Sequence, residues 1–252
     1  MTQRLELFGE PGTGKTSLLR SATASTAGLM APDQALLHYY FQHRNKGILA
    51  ALYRLGIPID WFRSKRHFRK SVAHRARRSL MVDSPRAYVD CAKVFYRALA
   101  TIQARDHELV HIAHSFERSM AVALVAEALN SSAFVLQDEG FLQRGLSLLV
   151  RNAAEEPVQQ YFATIPAPGA IIRVSVEREE RLRRLHGRGA ASGREQLAEA
   201  LQLTDWQSAQ AVEHGVAAMR ARDIPVFEVD GSKPPDEQIR LLRTQVEQVP
   251  DA

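Results

Sequence analysis

The sequence predicts an α/β fold in which a mainly parallel sheet of five strands lies between two layers of helices. Three observations lead to this prediction. Short apolar runs alternate with helical stretches, a glycine-rich loop follows the first run, and carboxylates follow another. Buried parallel strands read as apolar runs, and helices between them cover both faces of the sheet. A chain of 252 residues suits one such unit, so we expect residues 1–252 to form a single domain.

The first strand and the first helix flank the glycine-rich loop. Residues 4–8 place Leu5 and Leu7 on one face of a strand. The run ALLHYYF at 35–41 has the aromatic bias of a second strand, although a buried helical turn fits it nearly as well. From 44 to 130 the pattern is mostly helical, and the segment ELVHIA at 108–113 is the place there where a strand also fits.

Three more strands are predicted in the second half of the chain. The apolar run at 133–136 ends in the carboxylates of Asp138 and Glu139. The run AIIRVSV at 170–176 leads directly into a charged helix, and the run at 224–231 precedes a closing amphipathic helix. This order of elements completes the predicted five-stranded sheet.

Composition narrows the class of protein. The formal charge is +5 and the isoelectric point is near 9.5, which allows anionic partners without demonstrating nucleic-acid binding. The single cysteine, Cys91, excludes an internal disulfide. No apolar run approaches the roughly 20 residues of a membrane helix, and the N-terminus lacks a secretory apolar region. We therefore expect a cytoplasmic protein with no membrane partner.

A phosphate-binding loop is the most specific motif. The segment GEPGTGKT at 9–16 fills the pattern G-x-x-x-x-G-K-[ST] between a strand and a helix. In this pattern glycines let backbone N–H groups point at phosphate oxygens, the lysine neutralises the β and γ phosphates, and the hydroxyl ligates Mg²⁺. We expect the nucleotide contacts to come from the whole loop, namely Gly9, Glu10, Pro11, Gly12, Thr13, Gly14, Lys15, Thr16 and Ser17.

Asp138 and Glu139 form the second candidate site. A strand beside the first one in such a sheet ends in a carboxylate that reaches Mg²⁺, and a neighbouring carboxylate can accept a proton from an acceptor hydroxyl. We expect Asp138 at the metal with Thr16, while the choice of base between Asp138 and Glu139 stays open. The alternative is that both residues cap the helix that starts near Phe141.

The third candidate site is an arginine-rich helix at 177–190. Its arginines are spaced by three, three and four residues and share one helical face: Arg178, Arg181, Arg184 and Arg188. Such a helix can close as a lid over the triphosphate and neutralise the transferring phosphoryl group. The alternative is a solvated helix with exposed salt bridges to its glutamates.

These three sites, in this order, resemble the nucleoside and nucleotide kinases among P-loop phosphotransferases, with thymidylate kinases and deoxynucleoside kinases nearest in style. The resemblance implies the three-layer P-loop NTPase fold, ATP and Mg²⁺ as cofactors, and a helical acceptor side at 44–130. It also implies a catalytic lid arginine at Arg181 or Arg184. The further nucleotide contacts that it implies are Arg178, Arg188 and the adenine-edge loop residues Gly231, Ser232 and Lys233.

The acceptor-binding motifs of these kinases do not transfer. Thymidylate kinases follow the carboxylate strand with an Asp-Arg pair, whereas Asp138 is followed by Glu139 and Gly140 here. Deoxynucleoside kinases have Glu-Arg-Ser after that strand. A Glu-Arg-Ser triplet occurs at 117–119, ahead of the strand and in a helical pattern, so coincidence is favoured over functional identity with that motif.

A basic block at 63–78 lies in the region where these kinases hold the acceptor. Its basic residues include Arg63, Lys65, Arg66, Arg69, Lys70, Arg75, Arg77 and Arg78. The block fits an anionic acceptor or, equally, a solvated helix face. Nucleic acid is less favoured because aromatic residues are sparse among these charges, and a homodimer is left open.

We therefore expect an ATP- and Mg²⁺-dependent kinase that transfers the γ phosphoryl group to a small anionic acceptor, such as a nucleoside, nucleotide or sugar derivative. The alternative is an ATPase switch or regulatory nucleotide-binding module that acts on a macromolecular partner. The long helical middle favours that alternative. The arginine-rich helix favours the kinase.

Overall fold

A parallel sheet of five strands forms the centre of the computed structural model, which describes residues 3–44, 85–129, 132–192 and 205–249. The strands stand in the order β2-β3-β1-β4-β5, and every pairing between them is parallel. Their bounds are β1 Gln3–Phe8, β2 Leu29–Met30, β3 Phe134–Gln137, β4 Ala170–Ser175 and β5 Val226–Asp230. The predicted α/β fold with a mainly parallel five-stranded sheet is confirmed.

Helices cover both faces of this sheet. They are α1 Lys15–Ser25, α2 Pro32–Tyr39, α3 Arg86–Leu99, α4 Asp106–Ala128, α5 Phe141–Leu149, α6 Glu155–Thr164, α7 Arg178–Ser192, α8 Asp205–Arg220 and α9 Pro235–Val246. A π-helical segment, Tyr40–Arg44, extends α2. In the described part of the chain, no helix combines the length and the apolar character that crossing a membrane requires. The basic block at 63–78 lies outside the described residues.

The central strand β1 separates two hydrophobic cores. Successive side chains of a strand point to opposite faces, so Leu5 and Leu7 join one core while Phe8 joins the other. The first core is covered by α1 and α9 and is the smaller one. The larger core lies under α2 to α6 and α8, and buries more than half of the aromatic side chains among the described residues. The sheet is thus buried on both sides, as its apolar strands require.

Aromatic rings join the helices of the larger core. The rings of Phe95 on α3 and Phe116 on α4 stack with centroids 3.8 Å apart and planes 6° apart. Phe116 also meets Phe141, the first residue of α5, edge to face at 5.8 Å. The buried hydroxyl of Tyr161 on α6 donates a hydrogen bond to the carbonyl of Phe141 at 2.9 Å. These contacts fix the start of α5, which follows the two carboxylates singled out in the sequence.

Two segments for which the sequence also allowed a strand are helical. Residues 35–41 do not form a strand, because α2 covers Pro32–Tyr39 and the second strand is the short pair Leu29–Met30. Proline at the first helical turn is preorganised for a helix, and the side chain of Gln34 caps the N–H of Ala31 at 2.7 Å. These local signals outweigh the aromatic bias of the run. The segment 108–113 likewise lies within α4.

Gly145 on α5 packs closely against α6. A Cβ atom at this position would lie 2.4 Å and 2.5 Å from two ring carbons of the buried Phe162. We expect Gly145→Ala to lower the free energy of unfolding by about 1–3 kcal/mol, because overpacking forces a buried ring to move. Urea denaturation followed by circular dichroism measures this change.

Gly187 provides the matched control, because it is also a helical glycine but its added Cβ would meet nothing within 4 Å. Gly187→Ala should leave stability unchanged or raise it by about 0.5–1 kcal/mol, since alanine is the better helix former. Equal stabilities of the two variants would contradict the packing described here.

Candidate functional site

The phosphate-binding loop joins the carboxyl end of β1 to the N-terminus of α1. Gly14 is the residue before the helix, with φ of 98°, a left-handed conformation that glycine adopts without a steric penalty. The amino group of Lys15 donates hydrogen bonds to the carbonyls of Gly9 at 2.7 Å and Glu10 at 2.8 Å. The lysine therefore spans the loop, and the first N–H groups of α1 point outward as in an anion site.

Asp138 lies directly beside this loop. Strands β1 and β3 are neighbours in the sheet, so the residues that follow them meet at the same edge. The hydroxyl of Thr16 donates a hydrogen bond to the Oδ2 atom of Asp138 at 2.7 Å. A hydroxyl and a carboxylate oxygen in contact are the hard oxygen ligands that Mg²⁺ prefers. The two residues therefore fit a magnesium ion shared with a nucleotide.

Glu139 has different partners from Asp138. Its carboxylate forms an ion pair with Arg144 of α5, while its own side chain is 58% exposed. Burial lowers the pKa of Arg144 to about 10, so the guanidinium stays charged at neutral pH. The hydroxyl of Ser119 on α4 donates to the backbone carbonyl of Glu139 at 2.6 Å. The turn that carries both carboxylates is thus held from α4 and from α5.

Beneath this turn lies a buried carboxylate on the central strand. Glu6 is 1% exposed, pairs with Arg4, and accepts a hydrogen bond from the N–H of Leu142 at 3.0 Å. A Cβ atom on Gly140 would lie 2.3 Å from the Glu6 carboxyl carbon, so only glycine fits above it. Glu6 therefore caps α5 and sets the path of the Asp138–Gly140 turn.

The arginines of α7 have three different environments. Arg184 donates to the carbonyl of Gly231 at 3.1 Å and to Glu180 at 2.7 Å. Its guanidinium is 3.6 Å from the Cβ position of Gly14, so it lies next to the phosphate-binding loop. Arg181 is buried, and its guanidinium lies 2.5 Å from a carboxylate oxygen of Asp205 on α8. Arg178 binds the other oxygen of that carboxylate at 2.8 Å. The side chain of Arg188 lies outside the described residues.

The loop after β5 closes against the phosphate-binding loop. A Cβ on Gly231 would lie 2.4 Å from the carbonyl oxygen of Thr13. Asp230 accepts hydrogen bonds from the hydroxyl of Ser232 at 2.6 Å and from its N–H at 2.8 Å, and these bonds lower the pKa of Asp230. This turn places Gly231, Ser232 and Lys233 at the edge of the loop.

Two clefts open on either side of the phosphate-binding loop. One, of about 360 Å³, is lined by Gly12, Gly14, Ser17, Arg184, Gly231 and Lys233 among others. The second, of about 590 Å³, is lined by Thr16, Asp138 and Glu139 together with Asp33, Arg118 and Arg20. Both volumes lie within the usual range for small-molecule sites. The loop therefore forms a wall common to both clefts.

No protein-family model matches the chain, and no curated protein matches it. Among solved structures it is similar to deoxyadenosine kinase from M. mycoides. The form with bound dCTP is 14% identical, with a TM-score of 0.47, over 98% of this chain and 100% of that one. The form with the products dCMP and dCDP is 13% identical, with a TM-score of 0.46, over 98% of this chain and 100% of that one. The form with dATP is 15% identical, with a TM-score of 0.45, over 97% of this chain and 100% of that one.

These neighbours come from the same group of kinases that the motifs resemble. With identities of 15% or less and TM-scores below 0.5, however, the likeness says nothing about what this chain binds or transfers. The proposals below rest on the geometry of its own residues.

The structure gathers most of the residues that the sequence singled out. The phosphate-binding loop, Asp138, Glu139, Arg184 and the 231–233 loop surround the two clefts. Arg178 and Arg181 converge on Asp205 instead of joining Arg184 at the phosphate-binding loop. Asp33 was missed, because it lies two residues before the run at 35–41 and belongs to no motif that the sequence singled out.

The pKa of Glu180 reports the hydrogen bonds that this carboxylate accepts from Arg183 and Arg184. Hydrogen bonds from Arg183 and Arg184 lower the pKa of Glu180 to about 2. A carboxyl whose folded pKa lies below its unfolded value near 4.5 contributes stability above that value and loses it as pH falls toward 2. We expect an NMR titration of Glu180 to show a midpoint near 2. Arg183→Gln and high salt should both raise that midpoint, because the pair is exposed to solvent; a wild-type midpoint near 4.5 would contradict the contact.

Proposed function

We propose that this protein is an ATP- and Mg²⁺-dependent phosphotransferase that moves the γ phosphoryl group onto a small acceptor, such as a nucleoside, nucleotide or sugar derivative. One observation carries the proposal: a single phosphate-binding loop separates two clefts of small-molecule size. A transferase needs a donor and an acceptor on either side of the migrating phosphoryl group, and hydrolysis needs only the donor site.

The smaller cleft suits the nucleotide. Backbone N–H groups at the start of α1 and the amine of Lys15 offer donors to the phosphates, as this loop type does in general. Arg184 and Lys233 add positive charge at the same cleft. The 231–233 turn forms its outer edge, where the base of the nucleotide would lie. Arg184 is therefore the arginine of α7 that we place at the transferring phosphoryl group.

Thr16 and Asp138 would hold Mg²⁺ at the boundary between the two clefts. A bound ion would neutralise negative charge on the phosphates during transfer. The contribution of the protein is to fix both oxygen ligands through the neighbouring strands β1 and β3. Asp138 is accordingly assigned to the metal and not to proton transfer.

The larger cleft suits the acceptor. An acceptor oxygen attacks the γ phosphorus, the bond from that phosphorus to the bridging oxygen of ADP breaks, and the hydroxyl proton passes to a carboxylate. Glu139 is the exposed carboxylate beside Asp138, and we assign the proton to it. Glu139 is paired with Arg144, and we expect positioning and charge neutralisation to carry most of the rate.

Lys15→Ala tests the assignment. With γ-labelled ATP, Mg²⁺ and a panel of nucleosides, nucleotides and sugars, we expect wild type to transfer label to an acceptor and the variant to show no detectable transfer. The variant should remain folded with a modest fall in the thermal unfolding midpoint, because the loop loses the hydrogen bonds that Lys15 donates to Gly9 and Glu10. Lys93→Ala, an exposed lysine on α3 whose side chain is 71% exposed, is the control and should retain activity.

The fate of the label decides between this proposal and its rival. Label that leaves as inorganic phosphate with every acceptor, at a rate stimulated by a macromolecule, would indicate an ATPase switch and overturn the kinase assignment.

Arg184 and Arg181 should respond differently to substitution. Arg184→Gln is expected to lower kcat by roughly 10²-fold with little change in unfolding, because it removes charge beside the phosphates. Arg181→Gln should instead lower the free energy of unfolding by about 3 kcal/mol, since it leaves the buried carboxylate of Asp205 poorly balanced. Steady-state kinetics and urea denaturation on both variants measure the contrast; a reversed pattern would place Arg181 at the chemistry.

A further inference from the structure

The larger cleft contains an ion pair that the proposed reaction does not use. Arg118 on α4 and Asp33 at the start of α2 face each other across the cleft wall, with nitrogen and oxygen 3.3 Å apart. Their side chains are 51% and 56% exposed. Arg118 belongs to the Glu-Arg-Ser triplet at 117–119, for which the sequence favoured coincidence over function.

The next residue of the triplet fixes Arg118 relative to the reacting groups. Ser119 is buried, and its hydroxyl bonds to the carbonyl of Glu139 at 2.6 Å. The adjacent Arg118 therefore stands at a set distance from the Asp138–Glu139 turn. A group bound by the Arg118–Asp33 pair would be held at a defined distance from the two carboxylates.

The other carboxylates of the cleft already have partners. Asp138 contacts Thr16, and Glu139 contacts Arg144. Among the described residues, the charged groups that line the cleft are two guanidinium groups and three carboxylates: Arg20 and Arg118 with Asp33, Asp138 and Glu139. This lining carries no net positive charge, so it gives an anionic molecule little net attraction.

We propose that the Arg118–Asp33 pair binds adjacent hydroxyl groups of a neutral acceptor, the chemistry shared by free sugars, cyclitols and the ribose of nucleosides. This inference rests on the proposed kinase function and narrows its acceptor. One hydroxyl donates to the Asp33 carboxylate and its neighbour accepts from the Arg118 guanidinium, so both partners keep charge-assisted hydrogen bonds. A phosphate on Arg118 would instead lie close to the negative charge of Asp33.

The exposure of the pair supports this use. An ion pair between half-exposed side chains contributes little to stability, commonly below about 1 kcal/mol. Separating the two groups to admit a hydroxyl therefore costs little. The apolar residues beside the pair, Leu37 and Val122, give the carbon face of a ring a surface to contact.

Arg118→Gln and Asp33→Asn test the proposal together with a binding measurement. Ligand-observed NMR with Mg²⁺ and ADP would compare four sets of probes: hexoses and inositols, ribonucleosides, 2′-deoxyribonucleosides, and the phosphomonoesters of the first two sets. We expect a diol-bearing neutral probe to bind more tightly than its phosphomonoester. Each substitution should weaken that binding by about tenfold, the loss of one charge-assisted hydrogen bond, and Arg118→Lys should retain part of it.

The matched control is another exposed ion pair between two helices. Arg97 on α3 and Glu156 on α6 are 3.9 Å apart, their side chains are 62% and 72% exposed, and neither belongs to the described lining of the two clefts. Arg97→Gln and Glu156→Gln should leave probe binding unchanged. The comparison separates an effect of the cleft from a general effect of removing surface charge.

Binding and transfer together distinguish the two proposals. Binding of a neutral diol that depends on Arg118 and Asp33 supports the inference even if no label is transferred, in which case the proposed function alone fails. Absence of binding by every neutral probe overturns the inference about the Arg118–Asp33 pair. So does preference for the phosphomonoesters, or an Arg118→Gln variant that binds as tightly as wild type. If ribonucleosides bind and free sugars do not, the hydroxyls belong to a nucleoside.

Discussion

The candidate site depends on a carboxylate buried in the centre of the sheet. Glu6 stands on β1, pairs with Arg4 and caps the first turn of α5 through the N–H of Leu142. A buried charge is costly unless every lone pair has a partner, so the sequence must supply the arginine, the helix N-terminus and Gly140 together. These three constraints direct the turn that carries Asp138 toward Thr16. Buried residues beneath the cleft thus fix the position of the oxygens proposed to bind the metal.

The arginines of the arginine-rich helix α7 have different partners, and Asp205 of α8 binds two of them. At the N-terminal end of α7, Arg178 and Arg181 bind one carboxylate of α8, and one turn later Arg184 donates to the carbonyl of Gly231, next to the phosphate-binding loop. The anchoring arginine and the loop-facing arginine are neighbours on the helix, so the anchor limits how far the other can move. Four arginines at regular spacing therefore do not have one common role.

The fold followed from local patterns, while the partners of individual side chains did not. Alternating apolar runs and the glycine loop were sufficient to predict the parallel sheet, because strands that are buried on both faces must be apolar. The position of Asp138 followed from the edge at which parallel strands end. The second strand was misplaced because Leu29–Met30 is too short to leave a periodic pattern. The pairs Arg181–Asp205 and Arg118–Asp33 join residues far apart in the chain, and no spacing rule within one helix encodes them.

The position of β1 in the sheet has a consequence for how the chain is made. Of the five strands that the structure describes, the middle one, β1, is synthesised first, and its partners begin at Phe134 and Ala170. The phosphate-binding loop cannot take its final form until both have been synthesised. Glu6, a charge destined for the interior, must meanwhile stay hydrated. Non-local pairing of this kind is slow, so assembly of the site comes late in biosynthesis.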